Sequence, residues 1–274
     1  MAENIIEVKN LTKKFKDFAA VNNISFDVSK GEIFGFLGPN GAGKSTTIRM
    51  LTTLLMPTSG SALVAGVDIV KKQTEVRKHI GLVAEKIILY NHLTAMENLE
   101  FFGKLNHMPK ELIHQRSNKW LPRLGMKSWV DTTVGAFSTG MKQRVNIVRA
   151  LLTEPDILFL DEPTLGLDPQ TTFMIRTFMQ ELNSQNVTIV LTTHDMIEAD
   201  ALCNRVAIID HGKIAALDNI ENLKRKVTNK TNPTMEDVFL SVTGTEVRDA
   251  PGSAKLETGH HGPFGRGSDQ ERVR

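Results

Sequence analysis

Gly38-Pro39-Asn40-Gly41-Ala42-Gly43-Lys44-Ser45 fits the pattern G-x-x-x-x-G-K-[ST] and leads into Thr46. Its glycines let backbone N–H groups converge on phosphate oxygens, where Cβ atoms would block the approach. A helix opening behind the loop adds positive partial charge. Lys44 is then predicted to reach the β- and γ-phosphates of a nucleoside triphosphate, and the Ser45 hydroxyl to ligate Mg²⁺. The bland alternative is a glycine-rich turn that happens to precede a helix, which the full pattern in this context disfavours.

Ile157-Leu158-Phe159-Leu160-Asp161-Glu162 supplies a second set of groups. Its apolar residues bury a strand and deliver two carboxylates to the strand's C-terminal end, where ligands bind in open α/β sheets. Asp161 is expected to hold Mg²⁺, directly or through water. Glu162 is expected to orient and deprotonate an attacking water, a role worth on the order of 10²–10⁴-fold in rate. An acidic pair ahead of Pro163 could merely begin a turn; beside a phosphate-binding loop that is the weaker reading. Together the two segments predict a chain that binds ATP with Mg²⁺ and hydrolyses it.

These groups act together only if regular elements carry them to one edge. Ile33–Leu37 is a continuous apolar run closed by turn residues, as suits a strand buried on both faces. Behind it Ser45–Leu55 has helical character, stopped by Pro57 and Gly60. Ile5–Val8 and Ala20–Phe26 alternate as short strands, and further strands are expected at Ser61–Val64, Ile80–Val83, Ile157–Asp161, Val187–Thr192, Val206–Asp210 and Lys213–Leu217. Between Leu93 and Leu152 the pattern changes. Thr94–Lys104, Pro109–Leu124 and Met141–Leu152 read as helices, with a capping box at Thr94 and Glu97 and a start near Ser138 for the third. The expected fold class is α/β, with a mostly parallel sheet and an inserted all-helical subdomain at about residues 93–152.

Bulk properties exclude some classes. The 274 residues, 41% hydrophobic and 23% charged, suit an ordinary globular protein. A net charge of +2 gives no electrostatic reason to expect a nucleic-acid partner. One cysteine, Cys203, allows no internal disulfide and suits a reducing cytoplasm. No signal peptide is visible, and the apolar runs are strand-sized, far short of the roughly 20 residues that cross a bilayer. Any membrane role is therefore expected to come through a partner. Residues 244–274 are rich in glycine and proline and are expected to be a disordered tail, in which His260-His261 receive no function.

The order of further segments resembles the nucleotide-binding subunit of an ABC transporter, from about Ile5 to Gly244. Phe137-Ser138-Thr139-Gly140-Met141 resembles that family's signature loop, Leu165-Gly166-Leu167-Asp168 its D-loop, and Thr192-Thr193-His194-Asp195 its switch-histidine loop. The resemblance implies a P-loop NTPase core with an N-terminal antiparallel β subdomain, the ATPase domain occupying 1–243 with C-terminal helices at about 219–243. It implies two copies, identical or paralogous, paired head to tail with each ATP between one P-loop and the other copy's Ser138 and Gly140. A γ-phosphate at that helix N-terminus is physically reasonable. It further implies that His194 contacts the same phosphate and holds Glu162, that Asp168 belongs to the shared site, and that Phe15 stacks on adenine, with Phe18 as a possible substitute. Its partner would be a separately encoded transmembrane permease, with the chain peripheral on the cytoplasmic face.

Departures from the family pattern carry information too. Glu85 stands where the family usually has a glutamine that touches Mg²⁺ and the attacking water. A carboxylate can still ligate the metal, but it adds negative charge beside the γ-phosphate and Glu162, so slower basal hydrolysis and altered metal dependence are expected; a neutral substitution is the alternative. Thr139 and Met141 give the signature a form found in the exporter branch that includes drug, antibiotic and sodium efflux ATPases, and Thr234–Leu240 also resembles that branch. The competing reading is a soluble ABC-type ATPase of DNA repair, chromosome organisation or translation, but neither long coiled-coil insertions nor a second fused ATPase unit is visible. A GTP switch is rejected, because Asn229-Lys230-Thr231-Asn232 lacks the aspartate of the guanine-reading N-K-x-D motif.

Overall fold

The computed structural model describes residues 3–227 and 230–244. The tail expected after Gly244, with His260 and His261, lies outside the described residues. The chain begins with β1 (Asn4–Phe15) and β2 (Phe18–Ser29), then β3 (Ile33–Leu37), α1 (Lys44–Leu51), β4 (Ser59–Val64), β5 (Val67–Asp68), α2 (Gln73–His79) and β6 (Ile80–Val83). Helices α3 (Ala95–Leu105), α4 (Lys110–Trp120) and α5 (Thr139–Leu151) follow, with short 3₁₀ turns between the last two. The remainder is β7 (Ile157–Asp161), α6 (Pro169–Ser184), β8 (Thr188–Thr193), α7 (Met196–Leu202), β9 (Arg205–Asp210), β10 (Lys213–Asn219), α8 (Ile220–Arg225) and α9 (Met235–Thr243).

Two sheets result. An antiparallel one has the order β2-β1-β4-β5, and a larger one the order β10-β9-β3-β8-β7-β6, parallel except for the pairing of β10 with β9. Strand periodicity sorts the side chains of the parallel sheet between two cores. Phe34, Phe36, Ile157, Phe159 and Val190 face the antiparallel sheet and α1. Ile33, Leu37, Leu158, Leu160, Ile189 and Leu191 face the core shared with the helices. The continuous apolar runs read from sequence are thus strands covered on both sides. Phe26 of β2 seals the first core, stacking on Phe34 at 5.6 Å and meeting Phe36 edge-on at 5.2 Å.

Several elements differ from expectation for local reasons. β1 and β2 extend well beyond Ile5–Val8 and Ala20–Phe26, because Asn10 and Asn23 take positive φ (51° and 56°) where the pairing slips register. Each slip breaks the alternation that marks a strand in sequence. α1 stops at Leu51, four residues short of the expected end, with Thr53 at φ 62° turning the chain. α4 ends at Trp120, and Pro122, which cannot continue a helical hydrogen-bond ladder, opens a 3₁₀ turn instead.

Between β6 and β7 the chain forms only helices, 3₁₀ turns and one isolated bridge, Thr94 to Thr133. The expected capping box is present: Thr94 Oγ1 accepts from Glu97 N at 3.1 Å and Glu97 Oε2 accepts from Thr94 N at 2.7 Å. Thr94→Ala removes one half of it and is expected to lower stability by about 1 kcal/mol. Urea unfolding of the variant beside the wild type measures the shift.

Candidate functional site

Because β3, β8 and β7 are neighbours and parallel, the loops after their C-terminal ends open on one edge of the sheet. The first of these loops runs from Gly38 to Gly43. A Cβ at Gly38 would lie 2.3 Å from the Ile209 carbonyl oxygen, so the loop passes directly over β9. Gly43 has φ 112°, a Cβ there would lie 2.5 Å from the Ala20 carbonyl oxygen, and it precedes α1 with no capping side chain. The first N–H groups of α1 have no partner within the helix. Ala42 is buried behind the loop, its N–H bonded to the Pro39 carbonyl at 3.2 Å.

A cleft of about 410 Å³ opens over this loop. Pro39, Asn40, Gly41, Gly43, Lys44, Ser45 and Thr46 form its floor. Phe15, Phe18, Glu85, Glu162 and Leu165 form its walls. Phe15 and Phe18 flank the β1–β2 turn and are each about half exposed, and Lys13 Nζ lies 5.1 Å from the Phe15 ring centroid. Both expected aromatic candidates therefore reach the cleft.

Beneath it the charged groups converge. Lys44, only 5% exposed, donates to the carbonyls of Gly38 (2.7 Å) and Pro39 (3.2 Å) and lies 3.2 Å from Glu162 Oε1. Ser45 Oγ donates to Asp161 Oδ1 at 2.8 Å, joining the loop after β3 to the end of β7. His194 Nδ1 lies 2.9 Å from Glu162 Oε2; toward an ionised carboxylate, that nitrogen must carry the proton. Glu162 itself has φ 50°, a left-handed conformation costing a non-glycine residue about 1–3 kcal/mol. Such strain is retained where surrounding bonds over-determine the geometry, as they do here. The Ser45 hydroxyl and the buried Asp161 carboxylate are hard oxygen donors side by side, a pair that suits Mg²⁺, which typically takes one or two carboxylates plus phosphate and water oxygens. Glu85 lies on the exposed rim of the same cleft.

Ser138, Gly140 and Asp168 do not line this cleft; they form a second cluster. Ser138 caps α5, accepting from Met141 N at 3.2 Å. Asp168 caps α6, accepting from Thr171 N at 2.8 Å and from the Thr171 hydroxyl at 2.7 Å. The Thr171 hydroxyl and amide hold the Asp168 carboxyl below its ordinary range. A Cβ on Gly140 would lie 3.0 Å from Thr171 Cγ2, so the start of α5 packs closely on the start of α6.

Some participants escape residue-type reasoning. Thr192, fully buried on β8, contacts both Asp161 and the backbone of Glu162. Gln143 of α5 is buried and donates to the Pro163 carbonyl at 2.8 Å, tying the second cluster to the segment after Glu162. Leu165, half exposed, reaches the cleft wall. For Thr192 a signal exists, since it opens the Thr192-Thr193-His194-Asp195 segment at the end of β8.

The family described as ABC transporter matches residues 21–165. The probable multidrug ABC transporter ATP-binding protein YbhF of Escherichia coli K12 is 42% identical over 245 residues, which cover 88% of this chain but 42% of that relative's length. The linearmycin resistance ATP-binding protein LnrL of Bacillus subtilis 168 is 38% identical over 227 residues, 83% of this chain and 73% of that protein. Among solved structures, a dimeric post-hydrolysis state of the ATP-binding cassette MJ0796, bound to ADP and Pi, superposes with a TM-score of 0.71 at 28% identity, covering 78% of this chain and 98% of that one.

Gly43→Ala would put a side chain on a positive-φ backbone and press its Cβ against the Ala20 carbonyl oxygen, at the loop where phosphate approaches. It is expected to weaken nucleotide binding at least tenfold, roughly 1.4 kcal/mol. Titration with a fluorescent ATP analogue, beside thermal unfolding to separate binding from stability, measures it.

Proposed function

The chain belongs to the ABC transporter family of ATP-binding proteins, and on that premise we propose that it hydrolyses ATP to drive a separate transmembrane permease, as an exporter subunit. The observation that carries this reading is the convergence of Lys44, Ser45, Asp161, Glu162 and His194 from three adjacent strand ends on one cleft. Two exporter-like relatives, one named for multidrug transport and one for linearmycin resistance, support the direction.

The geometry and the family resemblance together support a set of residue roles. The P-loop backbone, with Lys44, Ser45 and Thr46, holds the phosphates, and Phe15 or Phe18 stacks on adenine. Ser45 and Asp161, with Glu85 at the rim, would hold Mg²⁺, which when bound neutralises phosphate charge. Glu162 is the general base and accepts the proton of the attacking water. His194 orients Glu162 through Oε2 and faces the γ-phosphate. Ser138, Gly140 and Asp168 act on the ATP of a second copy, so the working unit is a dimer, as the MJ0796 cassette is.

A specific feature favours a membrane partner over a soluble ATPase. Ile88, Tyr90, Phe101 and Leu105 are exposed apolar residues on the loop after Glu85 and on α3, with Tyr90 and Phe101 rings 4.8 Å apart. Such residues suit a docking face on the permease, and their place beside Glu85 links that face to the cleft. Among the described residues no helix is long and apolar enough to cross a membrane. We place the chain on the cytoplasmic face, held there by its partner, with no nucleic acid involved.

Glu162→Gln keeps the shape of the base and removes its proton affinity. Hydrolysis is expected to fall on the order of 10²–10⁴-fold, with the variant accumulating as an ATP-bound dimer on size exclusion. Full activity in that variant would reassign the base.

Glu85→Gln removes one negative charge from the cleft rim. A faster basal rate and a changed Mg²⁺ optimum are expected in a metal-titrated ATPase assay; an unchanged rate and optimum would leave Glu85 without a role in hydrolysis.

A further inference from the structure

We propose that Thr192 is a positioning residue for hydrolysis, its single hydroxyl holding Asp161 and Glu162 in fixed relation. The proposal rests on the ATPase reading above. Thr192 is fully buried near the end of β8 and pairs with Asp161 in the parallel ladder, which brings their side chains alongside each other. Its Oγ1 donates its only proton to Asp161 Oδ1 at 2.6 Å. The same oxygen must then act as acceptor toward the Glu162 N–H, 3.0 Å away. That N–H also reaches the Thr192 carbonyl at 3.2 Å. Glu162 leaves the strand at φ 50°, so the hydroxyl supports the residue where its backbone takes a conformation side-chain-bearing residues rarely adopt.

His194, two residues further on and just beyond the end of β8, meets Glu162 Oε2 at 2.9 Å. The end of β8 and the bend that follows it thus hold Glu162 twice, at its backbone through Thr192 and at its side chain through His194. Packing alone does not call for a hydroxyl here, since valine would fill the same space. Thr192→Val would leave Asp161 Oδ1 its bond from Ser45 and the Glu162 N–H its bond to the carbonyl. The fold therefore has a way to tolerate the change while the geometry loosens.

The test compares kcat and KM for ATP, and ATP-dependent dimerisation, in wild type, Thr192→Val, Thr192→Ser and Thr192→Ala. In the valine and alanine variants kcat is expected to fall about 10–100-fold, the scale of losing a supporting hydrogen bond around a reactive centre. KM stays close to wild type, the ATP-bound dimer accumulates, and serine restores most of the rate. Serine and alanine both delete the methyl group and differ only in the hydroxyl, so their comparison isolates it even if the valine variant fails to fold. Equal kcat for serine and alanine, or wild-type kcat in folded Thr192→Val, overturns the proposal and leaves the ATPase reading standing. A wild-type chain without turnover, alone or with its permease, overturns both.

Discussion

The bond from Ser45 Oγ to Asp161 Oδ1, 2.8 Å long across 116 residues of chain, is the constraint on which the site depends. It exists because β3 and β7 flank β8 in one parallel sheet, so each strand releases its chain at the same edge. Parallel pairing requires crossover connections, and α6 and α7 with the helical insertion supply them while covering one face of the sheet. The aromatic core under the antiparallel sheet covers the other. Were either face open, the apolar runs that hold the strands in register would lose their partners, and with them the alignment of the three loops.

Charge is held in the same economical way. Lys44 and Glu162 are nearly buried, and isolated burial of either ion would cost several kcal/mol. The ammonium has two loop carbonyls as well as the carboxylate, and the carboxylate has His194 on its other oxygen. Neither charge is left without a partner, yet Oε1 of Glu162 takes no hydrogen bond and touches Lys44 only as an ion pair. One oxygen is held by the His194 ring and the other by the Lys44 ammonium.

Much of this was legible in the sequence because the chemistry depends on contiguous patterns. The phosphate loop, the apolar run ending in two acids and the capping box at Thr94 each lie within eight residues, and each keeps its expected place. Both Phe15 and Phe18 reach the cleft, one on either side of the β1–β2 turn. What the residues hid was non-local. Whether Thr192 points at Asp161 depends on strand order, which periodicity does not carry. The full length of β1 and β2 was obscured because bulges at Asn10 and Asn23 interrupt the alternation while pairing continues beyond them. Gln143, an unremarkable helix residue, gains its importance only when α5 packs beside Pro163.

Arg149 shows how the exposed apolar face and the cleft share a support. It lies on α5, the helix capped by Ser138, and is half-buried, with no carboxylate against it among the described residues; burial lowers its pKa. Its Nη2 donates to the Leu82 carbonyl of β6 at 3.1 Å, its Nε to Asn146 at 3.0 Å, and its guanidinium lies 4.9 Å from the Phe102 ring centroid of α3. One planar cation therefore joins the signature helix, the strand leading to Glu85 and the helix bearing Phe101 and Leu105. Close-packed interiors transmit displacement instead of absorbing it. The same guanidinium thus contacts α3, β6 and α5 at once, and β6 and α5 are the elements that lead to Glu85 and to Ser138.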